Sequence, residues 1–68
     1  MLLSDVPFEK LSKKQRVRSL LTGVLGTIVE LVPRERATRK EDNEIVIAWD
    51  NGKESEGWHF QFDKVELV

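Results

Sequence analysis

Apolar positions in this chain recur mostly with a period of two, and the breaker residues fall between the runs. Residues 15–20 alternate, with Val17 and Ser19 on one face and Arg16, Arg18 and Leu20 on the other. Leu21-Thr22-Gly23-Val24 reads as a turn in which Gly23 supplies the left-handed position. Residues 26–32 form a second strand with apolar side chains on both faces, Ile28 and Val32 against Val29 and Leu31. That pattern fits a strand covered on both sides or one that bends between two sheets. Pro33 ends it, because proline cannot donate to a ladder.

Residues 33–43 have no apolar period and read as a long charged loop with room for a short helical turn. Residues 44–49 are the cleanest strand, with Ile45, Ile47 and Trp49 alternating against Glu44, Val46 and Ala48. Asp50-Asn51-Gly52 then gives a strong short hairpin signal. Residues 55–60 return as its partner, with Trp58, Phe60 and Phe62 on one parity and His59 and Gln61 on the other. Gln61-Phe62-Asp63-Lys64 reads as a single helical turn, and residues 65–68 as a short closing strand. The first 14 residues read as coil with a short turn, pinned to the rest by Phe8. The chain thus divides into an N-terminal segment, 1–14, packed on one β domain, 15–68.

Five short strands, a long charged loop after the second and a one-turn helix before the last predict an all-β fold that closes into a small barrel, since closure removes exposed edges. Four pieces of sequence carry a family likeness. They are Gln15-Arg16-Val17-Arg18, Gly26-Thr27-Ile28-Val29, the run from Glu44 through Trp49-Asp50-Asn51-Gly52, and Val65-Glu66-Leu67. Together they resemble a Src-homology-3-like small β-barrel, nearest to the KOW, Tudor and Mind-bomb-type branches. The resemblance spans residues 15–68 and implies a binding or structural module, because barrels of this kind take RNA, DNA, proline-rich peptides or methylated tails. Fold does not choose among these. Two departures bear on the choice. Lys13-Lys14 stands where the family pattern has glycine, and the chain has no tyrosine for an aromatic cage or proline groove.

Length narrows the classes further. With 68 residues the chain holds one domain and no cleft between two. No run reaches the roughly 18 apolar residues of a membrane span. The first ten residues contain Asp5 and Glu9 and lack the basic and apolar regions of a signal peptide. A chain without cysteine has no disulfide or thiolate metal site and fits a cytoplasmic setting. The net charge of −1 hides a split. Residues 1–40 carry nine basic against four acidic groups, a net of +5, and residues 41–68 two against eight, a net of −6. Either the surface is bipolar, with one face for an anionic partner, or the halves interleave in space and neutralise one another.

Catalytic chemistry finds little purchase. His59 is the sole histidine, and no nucleophile elbow, phosphate-binding glycine loop or histidine metal motif is present. His59 beside Trp58 is expected to face outward or between strands, and Glu54 and Glu56 to be solvated edge charges. The expectation is no enzyme, no cofactor and no metal. Two binding surfaces are candidates. Lys13, Lys14, Arg16, Arg34, Arg36, Arg39 and Lys40 gather at one end of the predicted barrel and would attract phosphate, although the sequence pI of 5.8 lies far below the value of about 9 that marks nucleic-acid binding. Trp49, Asp50, Asn51, Trp58 and His59 form the second candidate, for a protein partner. Phe60 and Phe62 are assigned to the core, and Trp58 to neither core nor surface. The favoured expectation is a non-catalytic module for an unknown protein partner, a monomer or weak homodimer off the membrane. An accessory RNA or DNA binder and a purely structural domain are the alternatives.

Overall fold

A computed structural model of the chain describes residues 1–34 and 43–68. Within them β1 is Arg16–Ser19, β2 Leu25–Val32, β3 Glu44–Trp49, β4 Glu54–Trp58 and β5 Val65–Leu67. All pair antiparallel in one sheet of order β4-β3-β2-β1-β5. The fold is therefore all-β, and the described ladder is open between β4 and β5. The other regular elements are single 3-10 turns at Leu3–Asp5, Phe8–Lys10 and His59–Gln61. Among the described residues no helix is long and apolar enough to cross a membrane.

The two-faced apolar pattern of β2 has a local cause. Ile28 pairs with Ile47, but Glu30 pairs with Val46, so Val29 is an extra residue. This bulge resets the parity of the strand. Gly26 and Ile28 face inward before it, and Leu31, paired with Ile45, packs on the core after it.

The core draws Val17, Ile28, Ile45, Ile47 and Val65 from the strands and Phe62 from the segment before β5. The rest comes from the N-terminal segment, whose Leu3, Val6 and Leu11 are all buried. Burying such a side chain stabilises by about 1.5–3 kcal/mol, so this segment is a structural part of the domain. It is anchored by these three residues more than by the half-buried Phe8. Its first residues also cover the outer edge of β5, where the Leu67 N–H donates to the Met1 carbonyl at 3.0 Å and Leu2 bridges to Glu66.

Four expectations are corrected near the C-terminus. β4 ends at Trp58 instead of running to residue 60, and the helical turn comes two residues earlier than expected. In a 3-10 turn, positions three apart share a side. His59 and Phe62 therefore both point inward, whereas Phe60 between them is 46% exposed and does not join the core. His59, expected outward or between strands, is 8% exposed, with Nε2 2.8 Å from the Leu3 carbonyl oxygen and its ring against Phe8.

Candidate functional site

The turn between β1 and β2 and the hairpin between β3 and β4 lie at the same end of the sheet. Between them is an open groove of about 260 Å³, lined by Ser19, Leu21, Thr22, Val24, Trp49 and Ser55, with Asn51, Lys53 and Glu54 on the hairpin side. Both walls are held by local hydrogen bonds. Ser19 Oγ accepts from the Leu21 and Thr22 N–H groups at 3.2 and 3.3 Å, and Gly23, at φ +76°, donates its N–H to the Ser19 carbonyl at 2.8 Å. In the hairpin, the Gly52 N–H donates to the Trp49 carbonyl at 3.0 Å, and Gly52 takes φ +89°. Asn51 Oδ1 accepts from the Lys53 N–H at 3.0 Å. The connection is thus a tight turn followed by a left-handed glycine. Asn51 acts within it as a turn-forming side chain.

Trp49 is the apolar wall of the groove. Its Nε1–H donates to Ser55 Oγ at 2.7 Å, which fixes the ring, and one edge packs on the core. Gly26 is its partner across the sheet, and the ring lies so close that a Cβ there would sit 2.6 Å from Cε3. Asp50 is already engaged. Arg16 donates to both of its carboxylate oxygens, at 3.1 and 2.8 Å, and also to Thr27 Oγ1 at 2.7 Å. The hydrogen bonds from Arg16 hold the Asp50 carboxyl below its ordinary range, and the same pairing raises the Arg16 guanidinium.

Trp58 lies elsewhere. It pairs with Glu44 at the opposite end of the hairpin, about 17 Å along β3 from Trp49. It also belongs to the opposite face of the sheet. The two tryptophans therefore share no platform. The Arg34 guanidinium stacks over the Trp58 ring at 5.2 Å from its centroid, and Nη2 lies 3.6 Å from Glu44 Oε1. The Arg34 N–H donates to Asn43 Oδ1 at 2.9 Å, which ties the residues after β2 to those before β3. His59, buried beneath the N-terminal segment, presents little surface to a partner.

Three of the four basic candidates among the described residues are paired. Lys13 Nζ lies 3.4 Å from Glu30, Arg16 is bound to Asp50 and Arg34 to Glu44. Arg18, outside the candidate set, donates to Glu66. Lys14 is exposed, with its backbone N–H on the Ile28 carbonyl at 2.8 Å. Arg36, Arg39 and Lys40 lie outside the described residues. Three of these pairs join a cation of the basic half to a carboxylate of the acidic half. Within the described residues the halves interleave. No group of three or more His, Cys, Asp or Glu among those residues is arranged to hold a metal ion.

Gly26 and Ser55 were not singled out as site residues from the sequence. An isolated glycine inside a strand does signal a close approach, and here the approaching group is the Trp49 ring. Family models, curated proteins and solved structures were all compared with the chain, and none matches it.

Proposed function

We propose that this chain is a non-catalytic protein-binding module, a small barrel of the Src-homology-3-like kind, that holds its partner over Trp49. The strand order β4-β3-β2-β1-β5, the bulge that bends β2 and the one-turn helix before β5 support the barrel reading. The observation that carries the binding reading is the groove, in which a rigid half-buried indole is flanked by the exposed Leu21 and by two hydrogen-bonded turns. A preformed, partly apolar depression with polar rims suits one apolar side chain of a partner and costs little ordering on binding.

The test is selection from a random peptide library on the intact protein, followed by amide and indole NMR shifts with the selected peptides. Shifts at Ser19, Leu21, Val24, Ser55 and the Trp49 indole support the groove. Shifts confined to Lys14 and Arg34 would overturn it. So would tight binding of single-stranded RNA or DNA that falls steeply with salt, which is the signature of phosphate contacts. The nucleic-acid reading retains one supporting feature, the exposed Arg34 stacked over the half-buried Trp58. Against it, Lys13, Arg16 and Arg34 are already committed to carboxylates.

A further inference from the structure

The two edges of the sheet are treated differently. The β5 edge is covered by Met1 and Leu2. Among the described residues no strand covers β4. Its backbone orientation follows from its two ends. The Trp49 N–H donates to the Lys53 carbonyl at 2.8 Å, and the His59 N–H donates to the Asn43 carbonyl at 2.6 Å. Odd-numbered residues therefore bond toward β3, and antiparallel alternation turns the N–H and C=O of Glu54, Glu56 and Trp58 outward. The Trp58 N–H is the check on this phase, since it points away from β3 and is satisfied by Gln61 Oε1 at 2.8 Å. Among the described residues nothing covers the outward backbone groups of Glu54 and Glu56 in this way.

The side chains of the same two residues are exposed and lie on one face, and neither forms an ion pair among the described residues. Pairing of two copies along β4 would bring these carboxylates toward one another, which like charge disfavours. A phosphate backbone is repelled in the same way. A basic strand is attracted. Its intervening side chains would fall on the face of Ser55, which borders the Trp49 groove.

We propose that β4 is the docking edge of the module. An extended partner segment with Lys or Arg at alternate positions adds to it as a further strand, its cations over Glu54 and Glu56 and its apolar residues toward Trp49. The inference rests on the binding-module reading and specifies the partner. Edge acids discourage self-pairing while selecting an oppositely charged strand.

The probe is a synthetic peptide of about eight residues, alternating lysine and valine, added to the intact protein. Its controls are a glutamate–valine peptide and a lysine–valine peptide N-methylated along the bonding edge. The lysine–valine peptide is expected to bind and to slow hydrogen exchange at the Glu54 and Glu56 amides, with little change at Ser55 and Gly57. Glu54→Lys with Glu56→Lys weakens it roughly tenfold and favours the glutamate peptide. Equal binding of the N-methylated peptide would reduce the effect to charge attraction and overturn the proposal. Unaltered exchange at Glu54 and Glu56 would overturn it as well, even with the Trp49 indole shifted, and would leave the groove reading standing. Protection at β4 with an unmoved Trp49 indole would support the docking edge and remove the groove. Both outcomes are read on the wild-type protein, so neither depends on a variant folding.

Discussion

The Trp49 ring rests directly on Gly26, its partner across β2 and β3, with no space for a side chain between them. A methyl group at position 26 would meet Cε3 at 2.6 Å and the Ile47 Cγ2 at 3.0 Å. The ring cannot yield freely, because Nε1 is held by Ser55. Gly26→Ala is therefore expected to destabilise the fold by about 1–3 kcal/mol, the usual cost of overpacking. It should also release the indole from Ser55. Thermal melts and Trp49 fluorescence in a Trp58→Phe background read the two effects. Unchanged melting would contradict the close packing.

Lys14 holds φ +74° in the turn that leads into β1, the left-handed region that costs a side chain roughly 1–2 kcal/mol. Lys14→Gly relieves that cost but adds freedom to the unfolded chain, so a net stabilisation of about 0.5–1 kcal/mol is expected. Lys14→Ala removes the same charge while keeping Cβ, and should not raise the melting temperature. Equal gains in both variants would assign the effect to charge.

Regular alternation carried the reading of β1 and β3, where Val17, Ile45 and Ile47 point inward as their parity requires. It failed where the backbone leaves the pleat. Trp58, Phe60 and Phe62 keep a period of two in sequence, yet the 3-10 turn rotates Phe60 outward and brings His59 in. A local clue was Gln61, three residues after Trp58, whose side chain reaches back to the Trp58 N–H. The burial of Leu3, Val6 and Leu11 had no periodic signal, because two separate short turns place them. The groove was half visible. Trp49 stood out by type, but Ser55 and Gly26 matter through contacts across strands that linear spacing does not reveal.

His59 links the last helical turn to the first one. Nε2 lies 2.8 Å from the Leu3 carbonyl oxygen, so this nitrogen donates and the tautomer is set by the contact. Removing the ring in His59→Ala leaves the Leu3 carbonyl with only the longer bond from the Val6 N–H, at 3.3 Å, and takes away the contact with Phe8. A loss of about 1–3 kcal/mol is expected. The N-terminal segment should then open first, so limited proteolysis ought to cut between Leu3 and Leu11 before it cuts the sheet. Cleavage elsewhere at equal rate would show that His59 does not tether the segment.

Asp50 supplies a pH signature of its own. Hydrogen bonds from Arg16 lower its carboxyl relative to the ordinary value, and therefore relative to the unfolded chain. A depressed carboxyl contributes stability in full above the unfolded pKa, about 4, and loses it as pH falls through the lower folded value. The raised Arg16 guanidinium stays charged throughout and contributes no change in that range. The expected outcome is a wild-type melting temperature above that of Asp50→Asn near neutral pH, with the gap closing as the solution is acidified below about pH 4. Added salt should narrow the gap at neutral pH, because both groups are exposed. A gap that persists at low pH would mean that Asp50 acts through its turn geometry and not through its charge on Arg16.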